Sequence, residues 1–443
     1  MIKSYGLASI LILASLFFGS VEAWSFAVVG ILVVILFNIV LIKGRSLEGG
    51  GISLAGRSLY AAVLAFSCFV VIQMIPLPAF LIKIISPVQY SALDLLSIKG
   101  FSSISIYPYA TLHAFVRMII YIMLFMVAAS LAGDRDAMFA FLKAIVIFGF
   151  LLSIFALVQK AAWNGKIYWF RELTHGGTPF GPFVNRNHFA GFMGMLVPFG
   201  LALGLHTRNR AKAFLYIFYS VIMSFALFYS LSRGGVLSLI VSASLFMAVI
   251  IVRSATTGTR VVAGIFVLLL MSYLLYFGIS PLIERFAYTD ISFNQRAGIW
   301  KAMLGVAHDF FVAGSGLGTF PDISPMYHPA GVNIYYDHAH NDYLEFFTDT
   351  GITGSVIFIA FIFVYFRNVL RSGWWNSRDF YFVLAGLVSI ISIAVHSTVD
   401  FNLHIPSNAM LLSVIMGMVY GMASKTAQRY GSRQGGRRRL LSL

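Results

Sequence analysis

The sequence predicts an all-α polytopic membrane protein. Hydrophobic residues make up 59% of its 443 residues and charged residues only 11%, whereas soluble domains carry about a quarter charged residues. The mean hydropathy is +0.86. The apolar residues stand in runs of roughly the 20 residues that a helix needs to cross a bilayer. These observations predict one integral membrane domain over residues 1–443, with no separate soluble domain.

About 12 of these runs are predicted as transmembrane helices, with a large polar loop between spans nine and ten. They are approximately 5–21, 24–42, 59–75, 112–131, 138–159, 188–205, 213–231, 235–252, 261–279, 346–366, 380–398 and 405–423.

The net charge of +15 is explained by topology. With the N-terminus inside, most of the 31 lysines and arginines fall on inner segments, including the basic tail 424–443. This is the positive-inside pattern, so both termini are predicted to be cytoplasmic and residues 160–187 and 280–345 periplasmic. Attraction to the anionic inner leaflet accounts for the basicity without nucleic acid.

The first span resembles a signal peptide, because residues 1–23 combine Lys3, an apolar core and a Val-Glu-Ala ending. An uncleaved first helix is preferred, although cleavage is the open alternative. The single cysteine, Cys68, excludes an intramolecular disulfide and a cysteine-cluster metal site.

Spans three and four frame the first outer segment. Pro76 and Pro78 end span three, and residues 79–111 are expected along the membrane surface. Span four then carries His113 and Arg117 on one helix face. Arg117 is either a snorkelling arginine or one that faces a site.

Four consecutive polar residues stand at the outer end of span six. N-capping by asparagine explains one of them but not the whole run. They are Asn185, Arg186, Asn187 and His188.

The hairpin between spans seven and eight places Arg233 beside Gly234 and Gly235. Small residues let the backbone approach a ligand there, and an interfacial anchor is the alternative role for this arginine.

The loop 280–345 is the longest polar insertion. Its early part reads as a short amphipathic helix that contains Arg296 and Trp300. The glycine-rich stretch 314–319 follows no strand, which argues against a nucleotide-binding loop. We therefore expect a flexible turn there.

A polar cluster closes this loop and meets a second one, at Asp400, after span eleven. Because a bilayer protein has no structural reason to gather titratable groups, a functional site is the default hypothesis. His338 and His340 are expected to project oppositely if residues 338–340 are extended. The first cluster contains His338, His340, Asn341, Tyr343 and several carboxylates.

These residue types suit an anionic, lipid-anchored substrate. Arginine forks bind phosphate oxygens and stabilise a departing diphosphate, and a histidine can deprotonate an attacking hydroxyl. Tyrosines such as Tyr343 could stack on sugar rings. A metal site is not expected, since no Glu or Cys stands at a recognised spacing from the histidines.

The chain resembles bacterial O-antigen ligases and Wzy-type polysaccharide polymerases. Their pattern of His-Asn, nine residues, Gly, two residues and Gly is matched by His340, Asn341, Gly351 and Gly354. The stretches 72–78, 181–188, 232–235, 296–300 and 399–406 are also similar to the family.

This resemblance implies a GT-C-like architecture and a metal-independent, inverting glycosyltransferase without a cofactor. The donor would be a glycan on undecaprenyl diphosphate, at the periplasmic face of the bacterial inner membrane. The acceptor would be lipid A–core for a ligase or a growing polysaccharide for a polymerase, and both remain open.

The same resemblance implies roles for three residues: His340 as catalytic base, and Arg233 and Arg296 as diphosphate ligands. Arg186 and Arg117 are added from topology. The other predicted substrate-binding residues are His338, Asn341, Asn185, His188, Tyr343 and Asp400.

A transporter or flippase of anionic lipid-linked glycans is the alternative. It should show polar residues through the membrane depth and an inner gate. The spans are apolar toward the cytoplasm, which favours the transferase.

Overall fold

A computed structural model of the chain describes residues 2–45, 57–98, 100–173, 177–253, 289–328 and 336–440, together with 261, 264 and 268. For 44–45, 289–297 and 428–440 it describes the backbone only.

The described chain is almost entirely helical. The α-helices are α1 (Ile2–Leu16), α2 (Ala23–Arg45), α3 (Arg57–Met74), α4 (Ala79–Ile85), α5 (Pro87–Leu95), α6 (Pro108–Leu131), α7 (Arg135–Ala161), α8 (Arg186–His206), α9 (Arg210–Tyr229), α10 (Arg233–Arg253), α11 (Thr289–Asp309), α12 (Phe320–Ile323), α13 (Asp342–Arg371), α14 (Phe380–His396) and α15 (Pro406–Leu440). Short 3₁₀ helices lie at Phe18–Ser20, Ser324–Tyr327, Trp374–Asn376 and Asn402–His404. Two short strands, β1 (Leu77–Pro78) and β2 (Phe101–Ser102), pair antiparallel.

The predicted class, an all-α polytopic membrane protein, is confirmed. Within the described residues, nine helices are long and apolar enough to cross a membrane: α2, α3, α6, α7, α8, α9, α10, α13 and α15. The shorter apolar helices α1 and α14 coincide with two further predicted spans. The predicted span 261–279 lies outside the described residues, so the total of about 12 stays a prediction.

Helix α8 is the centre of the bundle. Its span is 94% buried within the protein, and it packs against α9, α14, α10 and α7. Between His188 and His206 it contains only apolar residues, glycine and one proline. A helix that is apolar on every side is stable only when neighbours surround it. Its central position carries Arg186 and His188 into the middle of one end of the bundle.

Helix α15 packs along α6 through two glycines spaced four residues apart. A Cβ added at Gly417 would lie 2.3 Å from the carbonyl oxygen of Phe125, and one at Gly421 would lie 2.3 Å from that of Ala129. Small residues at this spacing let two membrane helices approach closely. Helix α15 begins at Pro406, directly after the 3₁₀ helix Asn402–His404 and Ile405.

The segment between α3 and α6 contains two short helices with exposed apolar side chains. Helix α3 ends at Met74, two residues before Pro76, as the prolines predicted. Phe80, Ile84 and Leu95 are largely exposed on α4 and α5. Such side chains are what a segment lying on a membrane surface presents to lipid.

Candidate active site

Five histidines and three buried carboxylates meet at one end of the bundle, around the ring of Phe401. They come from the start of α8, the segment before α13, the end of α14 and the 3₁₀ helix that follows it. We call this group the histidine cluster; its members are His188, His338, His340, His396, His404, Asp342, Glu345 and Asp400.

The ring of Phe401 touches three imidazoles. His338 stacks on it at 4.3 Å between ring centroids, while His188 and His340 meet it edge-on at 4.8 and 4.9 Å. The expectation that His338 and His340 project oppositely is therefore wrong. Residues two positions apart in an extended segment share a face, so the expectation did not follow even for an extended segment. The backbone of His340 departs from the extended form, with a left-handed φ of 51°. A non-glycine residue in this backbone region is strained, and such strain is common at functional sites.

His340 faces a buried carboxylate. Its Nδ1 lies 3.6 Å from Oδ1 of Asp400, which also accepts the N–H of Phe401 at 2.8 Å. Asp400 is 1% exposed, whereas 27% of the His340 side chain reaches solvent. Burial alone would raise the pKa of Asp400, but the interaction with His340 and the charges of His188 and His396 hold it below its usual range. At 3.6 Å the two atoms form an ion-pair contact rather than a hydrogen bond, and the contact places Nδ1 of His340 toward the ionised Asp400.

His404 joins two buried carboxylates. Its Nδ1 lies 2.9 Å from Oδ1 of Asp342, and its Nε2 lies 3.1 Å from Oε1 of Glu345. Burial alone would lower the pKa of His404, but the charge of Glu345 and the hydrogen bond to Asp342 raise it to about 9. His404 is thus an imidazolium at neutral pH and donates from both ring nitrogens.

Glu345 also holds the segment that carries the other histidines. Its Oε1 lies 2.8 Å from Nδ1 of His338, and its Oε2 accepts the N–H of Ala339 at 2.8 Å. Trp300, on α11, donates its indole N–H to the carbonyl oxygen of Ala339 at 2.9 Å. These bonds fix residues 338–340 from both sides.

One part of the cluster has the composition of a metal site. Ligating atoms of His338, Glu345 and His404 lie within 4.8 Å of one another. A metal would require a deprotonated ring nitrogen on His404, yet both nitrogens face carboxylates, which they can serve together only as donors. The imidazolium of His404 already supplies the positive charge that a cation would bring.

Helix α13 is broken where it leaves the cluster. Gly351 has φ 60° and ψ −166°, and a Cβ there would lie 2.6 Å from the amide nitrogen of Gly314. The backbone of residues 311–316 fills the break: Ser315 donates to the carbonyl of Thr348, and Ile352 donates to that of Phe311. The glycine-rich stretch is therefore a turn, as expected, but a buried one with a structural role.

Gln73, on α3, completes this junction. Its side-chain amide donates to the carbonyl oxygens of Ala313 and Asp349 at 2.8 and 3.0 Å and accepts the N–H of Leu317 at 3.2 Å. Backbone groups freed by the break are thus satisfied inside the protein, as membrane depth requires. The junction sets the direction of the first turns of α13, which carry Asp342 and Glu345.

Three predicted substrate-binding residues have contacts within the protein. Asn341 caps α13 by accepting from the N–H groups of Tyr343 and Leu344, both at 3.1 Å. Asn185 caps α8 by accepting the N–H of Asn187, which is the N-capping role that the sequence analysis gave to one asparagine of this run. The hydroxyl of Tyr343 donates to the carbonyl of Ala394 at 2.8 Å. These contacts position the helix starts on which the cluster is built.

Two predicted arginines lie at the cluster. Arg186 opens α8, and its buried Nε has no hydrogen-bond partner within the described structure; the same holds for Nε2 of His188. Arg233 opens α10, where a Cβ on the adjacent Gly234 would lie 2.7 Å from Cδ2 of His396. Buried donors without a partner are rare in native proteins and point to a ligand or water.

The other two predicted arginines differ. Arg296 lies on α11, one helical turn before Trp300, but its side chain is outside the described residues. The Arg117 guanidinium lies 5.6 Å from the ring centroid of Phe26 on α2. The role of Arg117 in the site stays a prediction.

The structure adds residues that the site prediction lacked. His404, Asp342, Glu345 and Phe401 have central contacts, and His396 lies beside the start of α10. A signal was present in the sequence, since Asp342 and Glu345 share the first turn of an apolar helix and the stretch 396–404 holds two further histidines.

Fold and site together define a polytopic helical membrane protein with a titratable, arginine-flanked site at one end of its bundle. Residues 218–359 match the family model described as O-Antigen ligase. The matched region contains Arg233, Arg296 and His340, together with Gly351 and Gly354. The match confirms the resemblance to the O-antigen ligase and Wzy family and supports glycan transfer of that type. The comparison with curated proteins gave no match.

Proposed function

We propose that this protein transfers a glycan from undecaprenyl diphosphate to an acceptor hydroxyl at the periplasmic face of the bacterial inner membrane. The observation that carries the proposal is the pair of His340 and Asp400. A solvent-accessible imidazole backed by a buried, ionised carboxylate is the arrangement of a general base with its orienting group.

The chemistry is a single displacement. The acceptor hydroxyl gives its proton to Nε2 of His340 while its oxygen attacks the anomeric carbon of the donor sugar. The bond from that carbon to the diphosphate oxygen breaks, and the diphosphate leaves with the electron pair. Attack from the face opposite the leaving group inverts the anomeric configuration. Asp400 stabilises the imidazolium that forms, as a carboxylate does beside a catalytic histidine.

The leaving diphosphate is bound by arginines. Arg233 and Arg296 are the proposed ligands, and the partnerless Nε of Arg186 offers a further donor. Guanidinium forks pair bidentately with phosphate oxygens, so they stabilise charge as it develops on the leaving group. The proposal needs no metal, because these guanidinium cations supply the positive charge.

The interior of the bundle favours a transferase over a transporter. A transporter of anionic glycans needs polar groups through the membrane depth. The central helix α8 is apolar beyond His188. Both termini are proposed to be cytoplasmic, with 280–345 and 160–187 periplasmic, following the positive-inside pattern.

The test is His340→Ala in purified protein in lipid, with lipid-diphosphate glycan as donor and with binding and turnover measured separately. We expect turnover to fall about 10²–10⁴-fold, the usual contribution of general-base catalysis, with donor affinity retained. The matched control is His308→Ala, since that side chain is 88% exposed on α11. Excess EDTA should leave wild-type turnover unchanged.

Wild-type turnover in His340→Ala would refute the base assignment. Loss of donor binding would instead make His340 a substrate-positioning residue. A deletion strain separates the two acceptors. Bare lipid A–core with polymer retained on its carrier indicates a ligase, and single repeat units indicate a polymerase.

A further inference from the structure

A small basic cavity lies at the other end of the bundle. It encloses about 90 Å³ between the α6–α7 turn, the segment before α14 and the later part of α15. One water needs only about 10–15 Å³, so a phosphate-sized anion has room. The cavity is lined by Ala132, Arg135, Met138, Arg378, Asp379 and Lys425.

The cavity and the histidine cluster are separated by about one membrane thickness. Helix α15 begins at Pro406, next to the cluster, and reaches the cavity at Lys425. At about 1.5 Å per residue this stretch is about 28 Å long, and the hydrocarbon core of a bilayer measures about 30 Å. In the proposed orientation the cavity therefore lies at the cytoplasmic membrane edge.

The cavity holds more positive than negative charge. Arg135 pairs with Asp379, with Nε 3.2 Å from Oδ1, and its Nη2 donates to the carbonyl oxygen of Arg378 at 3.5 Å. Lys425 donates one N–H to the carbonyl of Gly133 at 2.7 Å, which leaves two of its three donors. In the part of the chain that the structure describes, the Arg378 guanidinium forms no ion pair. Two positive charges thus remain for a ligand.

Aromatic side chains mark the depth of this edge. Arg253 lies 3.8 Å from the ring centroid of Phe380 and 5.6 Å from that of Trp375, and Trp374 stacks on Phe380. Tryptophan and arginine together are typical of the headgroup level of a membrane. Anionic phospholipids are concentrated in the cytoplasmic leaflet, where basic pockets between helices bind their head groups.

We propose that this cavity binds a phosphate group, with the Arg378 fork and the Lys425 ammonium as ligands. The Arg135–Asp379 pair holds the walls together. The position of the cavity at headgroup depth favours the phosphate of an anionic phospholipid as the ligand. Free phosphate has the same chemistry.

The experiment uses the full-length protein in micelles of a maltoside detergent, which carries no phosphate group. Short-chain phosphatidylglycerol and inorganic phosphate are titrated separately, and binding is followed by the shift in Tm. We expect the double variant Arg378→Gln/Lys425→Gln to bind about 30-fold more weakly, because each basic group near a membrane surface contributes about a fivefold factor. The matched control is Arg371→Gln, an exposed arginine at the end of α13 that does not line the cavity.

The single variant Arg378→Gln keeps the Lys425–Gly133 hydrogen bond, and we expect it to show an intermediate loss of affinity. It provides the test if the double variant fails to fold. A shift with phosphatidylglycerol alone assigns the site to lipid, and a shift with both probes assigns it to the phosphate group itself. Equal affinity in wild type and Arg378→Gln, or no shift with either probe, overturns the proposal.

Discussion

Nε2 of His404 lies 3.1 Å from Oε1 of Glu345. The other ring nitrogen of His404, Nδ1, lies 2.9 Å from Asp342, which is also on α13. These two contacts join the 3₁₀ helix Asn402–His404 to α13. A single imidazolium between two buried carboxylates compensates charges that would otherwise be costly to bury. His404 is therefore expected to stabilise the whole histidine cluster without touching substrate.

Stability should depend on the protonation of His404. Its pKa is raised from 6.5 to about 9 in the folded protein, so its contribution is fully present below pH 6.5 and is lost as pH rises through about 9. We expect the Tm to fall across this window. His404→Ala should lose about 3 kcal/mol at pH 6.5, because it leaves buried carboxylates without their partner. Its Tm should vary less over the same range, and a parallel decline in both proteins would contradict the assignment.

Asp400→Asn tests the orientation of His340. The amide keeps the size of the side chain but removes the charge, so we expect turnover to fall about 10²-fold or more with donor binding unchanged. Loss of donor binding together with turnover would indicate a purely structural role for Asp400.

Arg233→Lys and Arg296→Lys test bidentate binding of the diphosphate. Lysine keeps the charge but lacks the planar fork, so either change should remove most of the activity. Arg371→Lys, at the other membrane edge, is the control and should behave as wild type. Full activity in both variants would leave only general charge attraction at the site.

Gly351→Ala tests the break in α13. The positive φ of Gly351 and a Cβ position within 2.7 Å of three backbone atoms predict a loss of about 2 kcal/mol or more in folding free energy. Gly298→Ala is the control, since a Cβ there meets nothing within 4 Å and alanine suits an exposed helix position. An unchanged Tm in Gly351→Ala would mean that the junction with residues 311–316 is not rigid.

Single cysteines test the orientation. In a Cys68→Ser background, Asn333→Cys should react with an impermeant thiol reagent in intact cells, and Ser432→Cys should react only after permeabilisation. Labelling of Ser432→Cys in intact cells would show that the predicted orientation is wrong and that the C-terminal tail is outside. It would also place the histidine cluster in the cytoplasm.

Much of the architecture follows from local sequence. An apolar run that crosses a bilayer must satisfy its own backbone hydrogen bonds, so composition and length alone predict a helix. The capping role of Asn185 and the helix end before Pro76 are likewise local. The pattern His340, Asn341, Gly351 and Gly354 also placed the candidate base, and residues 218–359 match the O-antigen ligase model.

Tertiary structure decided which groups meet. His404 and Asp342 are 62 positions apart and belong to different elements. His340 lies just before α13, and its partner Asp400 lies just after α14. Helical periodicity shows which face of a helix is apolar, but not which neighbour it packs against. The left-handed backbone of His340 is equally invisible in the sequence, because histidine ordinarily adopts negative φ. Only the packed surroundings of the histidine cluster hold this residue in the left-handed region, where its ring meets that of Phe401 edge-on.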